Sequence, residues 1–242
     1  MAWRQEAAVP EPPRGKLPDD DRLFGSEALP ALRLAAEETA WMIGRGYPQG
    51  RVTEMVSERH GLGERQRLAV ERGICSDPQY RRRAVRELDA EDIQRRPLRI
   101  DAENLLVTIE VALAGGPLLS LLDGSVSNLA WSRGAHGPVA ETDAALERIG
   151  AAVRRLKPSV SRWYLGNGAE GAQSLADRIT AAGPRWKVPV EIKRVDDVAA
   201  TLGKASQVVS SDPLVLDECG SWFNLAPLVI GDLTSAWKVT LQ

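Results

Sequence analysis

With 242 residues, 43% of them hydrophobic and 26% charged, the chain can bury one large core or two small ones and has the composition of an ordinary globular protein. A net charge of -2 removes any global basic signal for nucleic acid, and no apolar run approaches the roughly 20 residues that span a bilayer. The two cysteines, Cys75 and Cys219, are far apart and have no Cys/His cluster around them, which disfavours zinc and suggests two reduced, buried thiols.

Residues 1–28 carry Pro10, Pro12, Pro13 and Pro18, followed by Asp19-Asp20-Asp21. Such a segment buries little apolar surface, so it is expected to be a disordered arm. Its opening, Met1-Ala-Trp-Arg-Gln-Glu6, lacks the apolar stretch of a signal peptide, and a cytoplasmic location is the expectation.

Residues 29–96 read as a helical domain. Leu32, Ala35, Ala36, Thr39, Ala40 and Ile43 form one apolar stripe, ended by Gly44-Arg-Gly46. Pro48 suits a helix start, and Val52, Met55, Val56 and Arg59 follow at helical spacing. His60-Gly-Leu-Gly63 is a turn, and Glu64–Gly73 is a further helix, giving the outline of a helix-turn-helix. Between positions 45 and 86 ten arginines face five acids, with Arg81-Arg82-Arg83 the densest part. The run is either a solvated face or a surface that holds nucleic-acid phosphates. Asp89 to Pro97 is polar and reads as a linker.

Residues 97–242 alternate strands and helices. Leu98–Asp101 is a strand and Asn104–Ala114 a helix closed by Gly115-Gly116. Pro117–Leu122 is a strand ending at Asp123-Gly124, and 125–138 is polar and irregular, with Asn128, Trp131, Arg133 and His136. Thr142 opens a helix through Ala145, Ile149, Val153 and Leu156. The strand Val160–Leu165, a helix over Ala172–Ala182, and the strand Trp186–Ile192 come next. Asp196 or Asp197 starts a helix, Gln207–Ser210 is a strand, Pro213–Cys219 a short helix and Leu228–Ile230 a last strand. This alternation predicts an α/β domain with one parallel sheet covered by helices. Phosphate-binding glycine loops, a nucleophile elbow and the HExxH pattern are all missing. His60 falls in a turn, where a surface or capping role is expected. His136, between Gly134 and Gly137, is the more open of the two histidines.

The acids carry the chemistry. Asp101 ends one strand and Asp212 follows another, so a parallel sheet places both on one edge; Asp217 lies one helical turn beyond Asp212, and Asp196 and Asp197 follow a third strand. Carboxylates crowded on one edge repel unless a cation sits among them, and Mg²⁺ or Mn²⁺ prefers such oxygens. The plainer reading is that Asp101 and Asp212 cap the helices that follow them, and that Asp217 is a surface acid.

Ile100-Asp-Ala-Glu-Asn104 resembles the opening motif of PIN-like nucleases, in particular their NYN branch. Lys193-Arg-Val-Asp196 and Val208-Val-Ser-Ser-Asp212 resemble the later acidic motifs of that family. From Leu32 to Ile230 the chain also resembles an uncharacterised bacterial and archaeal family, through Arg45-Gly-Tyr-Pro48, Cys75-Ser76, Asp123-Gly124, His136-Gly137, Trp163-Tyr-Leu165, Ser210–Asp217 and Trp222-Phe-Asn-Leu225.

The resemblance implies a three-layer, Rossmann-like PIN fold behind a small all-α domain, and a ribonuclease dependent on Mg or Mn. Asp101, Asp196 or Asp197, and Asp212 would hold the metal. Asn104 and Asp217 would join Asp101 and Asp212 in the catalytic set, and Arg81, Arg82 and Arg83 would hold RNA. A homodimer is compatible with this reading. The sequence departs from the pattern in three places. Ala102 replaces the usual glycine, Gly166-Asn-Gly168 stands where an acid is expected, and the family's basic-acidic pair after Asp123-Gly124 is not recognisable in Ser125–Arg133. These departures support the alternative of a decayed nuclease scaffold that binds nucleic acid or assembles with protein.

Overall fold

The computed structural model describes residues 14–130, 137–168, 171–231 and 233–242. Trp3, Trp131, Arg133 and His136 lie outside the described residues.

Five helices open the described chain: α1 (Asp20–Phe24), α2 (Leu29–Ile43), α3 (Gln49–Arg59), α4 (Glu64–Gly73) and α5 (Asp77–Ala84). The stripe read in α2 is the buried one, with Leu32, Ala35, Ala36, Thr39 and Ala40 inward. Helix α4 starts at Gly63, whose backbone N–H donates to Gln66 Oε1 at 3.1 Å. Residues 14–28 depart from the expected disordered arm. Phe24 is buried in the helical core, and Asp20, fully buried, accepts two hydrogen bonds from Arg65, at 2.6 and 2.9 Å. Arg14 reaches across to the buried Glu110 at 2.8 Å. Proline and charge make this segment look unstructured, but partners 45 and 96 residues away hold it.

The rest of the chain runs α6 (Ala90–Ile93), β1 (Pro97–Asp101), α7 (Ala102–Ala114), β2 (Pro117–Ser120), β3 (Val126–Asn128), α8 (Thr142–Leu156), β4 (Val160–Gly166), α9 (Ala172–Ala182), β5 (Val190–Val195), α10 (Val198–Leu202), β6 (Val208–Val209), α11 (Pro213–Leu216), α12 (Leu225–Ile230) and β7 (Trp237–Thr240). Four strands form a parallel sheet in the order β5-β4-β1-β6. Strand alternation sends Trp163 and Leu165 into one core and Tyr164 against another. The first core contains α7, α8, α9 and α12 residues and the second α10 and α11 residues, so helices cover both faces in three layers.

Glycine permits two of these contacts. Gly115 takes a left-handed conformation (φ 73°) to end α7. Gly150 lets α8 rest on the Trp186 indole, where a Cβ would fall 1.9 Å from Nε1.

Three expectations need correction. The strand Pro117–Leu122 does not join the parallel sheet. It pairs antiparallel with β3 and parallel with β7 in a second, three-stranded sheet. Leu228–Ile230 belongs to helix α12, since a three-residue apolar run does not separate strand from buried helix. The strand expected over Trp186–Ile192 begins only at Val190, because Gly183–Trp186 is a turn of 3₁₀-helix. The second sheet links the two halves of the chain. Leu118 and Val126 face the α/β core, whereas Leu119, Leu121, Val239 and Leu241 share a core with α1, α2, α3 and α4. Among the described residues no helix is long and apolar enough to cross a membrane.

Candidate functional site

The chain lays β4 and β5 on one side of β1 and then returns to lay β6 on the other. Strand order therefore reverses between β1 and β6, and in open α/β sheets ligands bind beyond the carboxyl ends of strands at such a point. Asp101 ends β1, and Ser210-Ser211-Asp212 leaves β6 beside it.

Both aspartates are buried, Asp101 at 5% exposure and Asp212 at 2%. Asp101 caps α7: its Oδ1 accepts from the Asn104 backbone N–H at 3.4 Å, and its Oδ2 accepts from Ser210 Oγ at 2.9 Å. Asp212 caps α11 by accepting from the Leu214 N–H at 3.0 Å. Asn104 ties the two strand ends together, its Oδ1 accepting from the Ser211 N–H at 2.8 Å and from Ser211 Oγ at 3.0 Å. This leaves the Asn104 amide NH₂ as the donor that can meet a ligand. Thr108 and Asn128 support the same turn: Asn128 donates to Thr108 Oγ1 at 3.0 Å, and Thr108 to the Asn104 carbonyl at 2.8 Å.

No basic side chain lies within ion-pair distance of Asp101 among the described residues. Burial pushes its carboxyl up to about 7, the Ser210 hydroxyl and the Asn104 N–H work the other way, and the negative charges of Asp212 and Glu103 add to the rise. A cleft of about 500 Å³ opens over Asn104, Ser211 and Asp212, and its far wall includes Gln49, Glu71 and Arg72 of the helical half.

The remaining acids go elsewhere. Asp196 follows β5, two strands from β1, so it sits roughly 10 Å along the edge from Asp101. It is exposed and accepts from Asn167 Nδ2 at 2.6 Å. Asn167 belongs to the Gly166-Asn-Gly168 stretch where an acid is expected; the amide donates to Asp196, whereas an acid would repel it. Asp197 caps α10 through the Ala200 N–H at 2.9 Å. Among the described residues no three His, Cys, Asp or Glu side chains gather closely enough to hold a metal ion.

Asp217 is drawn to Arg83, whose Nε lies 2.7 Å from Asp217 Oδ1 and whose Nη1 lies 2.6 Å from Asp123 Oδ2. Arg83 is fully buried. Burial opposes its charge, but the two carboxylates hold it firmly. Arg83 therefore cannot offer phosphates a surface contact, which corrects one of the three arginines expected to bind nucleic acid. Arg81 and Arg82 are exposed. Cys75 and Cys219 are free and buried, and burial pushes the Cys75 thiol up to about 12.

Sequence reasoning places Asp101, Asn104 and Asp212 but not Ser210 and Ser211, although the Ser-Ser-Asp run is visible. It also misses Arg72, Glu71 and Gln49, because only the folded chain brings α3 and α4 over the sheet edge.

Residues 90–228 match the family model described as a domain of unknown function, DUF5616, and residues 31–86 match that of a protein of unknown function, DUF434. No curated protein and no solved structure matches the chain.

Proposed function

Because this chain belongs to the DUF5616 family, whose name carries no activity, we propose a function from its geometry: divalent-metal-dependent hydrolysis of RNA phosphodiesters at Asp101 and Asp212, beside the cleft lined by Asn104, Ser211 and Asp212. The observation that carries this reading is the pair of buried carboxylates at the ends of adjacent parallel strands, where strand order reverses. The likeness of Ile100–Asn104 and Val208–Asp212 to PIN-like motifs agrees with it.

The donor set fits Mg²⁺ or Mn²⁺. Each Asp101 carboxylate oxygen accepts one hydrogen bond and keeps a second lone pair. Mg²⁺ is commonly held by only one or two carboxylates, with water and substrate phosphate completing its shell. When bound, such an ion lowers the pKa of a water and neutralises charge growing on the phosphoryl group.

The protein's own groups do the positioning. The Ser210 hydroxyl fixes the rotamer of Asp101, and Asn104 locks the β6 end to the start of α7. The Asn104 amide NH₂, on the lining of the cleft, is the donor for a phosphate oxygen. Asp196, Asp197 and Asp217 are excluded from this set by their own partners.

The test is cleavage of an end-labelled RNA pool with Mn²⁺ and with chelator. Asp101→Asn is expected to remove cleavage while the protein still folds cooperatively, and Asp196→Asn keeps it. A second reading has its own observation: Asp101 and Asp212 both cap helices, and the edge lacks a third acid among the described residues. As a binding or assembly scaffold, the protein would cleave nothing with Mg²⁺ or Mn²⁺ and would show no metal-dependent shift in its melting midpoint.

A further inference from the structure

A second cleft, of about 1110 Å³, lies on the helical half, between the end of α2 and the face of α5. Four arginines from three segments line it: Arg33 on α2, Arg45 just after it, and Arg81 and Arg82 on α5. All four are exposed. None has a carboxylate within ion-pair distance among the described residues, although Glu37 and Asp77 lie on the same wall. Arg33 and Arg45 donate only to backbone carbonyls, of Thr240 and Trp41 at 3.2 Å each. The neighbouring Arg83 is the contrast: it is buried and doubly paired. Four guanidinium groups against the two acids of the lining, neither within ion-pair distance of them, leave the cleft with excess positive charge that an anion with several charges answers.

The cleft also holds an aromatic surface. Trp41 is 56% exposed, and the Arg45 guanidinium stacks 3.5 Å from the centre of its ring. An indole among unpaired arginines suits a chain that alternates phosphates with flat bases.

We infer that Arg33, Arg45, Arg81, Arg82 and Trp41 form a single-stranded nucleic-acid site separate from the cleft at Asn104 and Asp212. It deepens the proposed function by giving the substrate strand a second hold, and it stands or falls by binding alone. Arginines neutralise phosphates along the strand, and a base stacks at Trp41. The site carries no means of reading base edges, so it binds without sequence preference.

The test is anisotropy of a labelled oligouridylate of about 12 nucleotides with the full chain in EDTA, so that no cleavage intervenes. Four phosphate contacts predict that log K falls with log salt at a slope of about -3. Arg81→Glu with Arg82→Glu is expected to weaken binding at least about tenfold and to roughly halve the slope. Arg33→Glu with Arg45→Glu should act alike. Trp41→Ala is expected to cost about tenfold with the slope kept. Arg154→Glu with Arg155→Glu, exposed on α8, is the charge control and should change little. An oligothymidylate of equal length tells RNA preference from general single-strand binding.

Binding is read in EDTA, apart from cleavage, so failure of the parent to cleave RNA with Mn²⁺ would leave this inference standing. Equal weakening by the α8 control would overturn it, as would unchanged binding in both cleft variants. Absence of RNA and DNA binding, or capture only by phosphatidylglycerol vesicles, would overturn it too.

Discussion

Two buried aspartate clusters sit within the same molecule and serve opposite ends. Around Arg83, the carboxylates of Asp123 and Asp217 meet a guanidinium at 2.6 and 2.7 Å, and the helical half is bound to the α/β half. At the end of β1, Asp101 lies beside Asp212 with hydroxyl and amide partners and, among the described residues, no basic side chain of its own. The residue type is alike, and Asp123 is buried as Asp101 and Asp212 are, while Asp217 is half-buried. The difference at Asp101 is that its partners are neutral groups rather than a guanidinium. The Arg83 cluster contributes architecture, whereas the cation at Asp101 is the proposed metal.

The comparison is broken most sharply at its closed end. Arg83→Ala leaves the buried Asp123 without its cation and is expected to cost about 3–5 kcal/mol in urea unfolding. A loss within the scatter of surface variants would mean that the cluster is not an anchor.

At the open end the sign reverses. Asp101 has a folded pKa of about 7, above its ordinary value of 3.8. The native state thus holds its proton more tightly than the unfolded chain, and this group's contribution to stability falls as pH rises from about 4 to 7. In chelator, Asp101→Asn should match the parent near pH 4 and exceed it at neutral pH, by an amount on the order of a few kcal/mol. A variant that is destabilised equally at both pH values would assign Asp101 to the helix cap alone.

Asp217→Asn should be milder than Arg83→Ala, about 1–3 kcal/mol, because Asp123 still neutralises the guanidinium. It should also lower RNA cleavage no further than its loss of folded protein explains. The smallest effect is at Cys75, whose thiol lies 3.7 Å from Arg83 Nη1. With its pKa raised to about 12, it should resist maleimide in the folded protein and react once Arg83→Ala loosens the cluster.

The open end of this contrast is largely legible in the sequence. The apolar stripe of α2, the turn at His60–Gly63 and the acid closing β1 are local patterns, and each appears where the periodicity puts it. The closed end is not legible, because it depends on long-range pairing. Nothing near Arg83 in the chain announces Asp123, 40 residues on, or Asp217, 134 residues on. The charged run Arg81-Arg82-Arg83 reads as uniform, yet packing buries its third member and exposes the first two. Strands β3 and β7 escape a local reading because Val126-Ser-Asn128 is short and polar and Trp237–Thr240 gains its partner from β2, more than a hundred residues earlier. Residues 14–28 mislead because proline and acid content describe a free chain, whereas Asp20 and Arg14 are held by distant partners.

The central claim is that the reversal between β1 and β6 is a cation site. Its most direct measurement is Mn²⁺ titration followed by electron paramagnetic resonance, on the parent and on Asp101→Asn and Asp212→Asn. One Mn²⁺ site per chain, lost in both variants while their folds persist, is the predicted result. A parent that leaves all Mn²⁺ free at millimolar concentration, or variants that bind as the parent does, would contradict it.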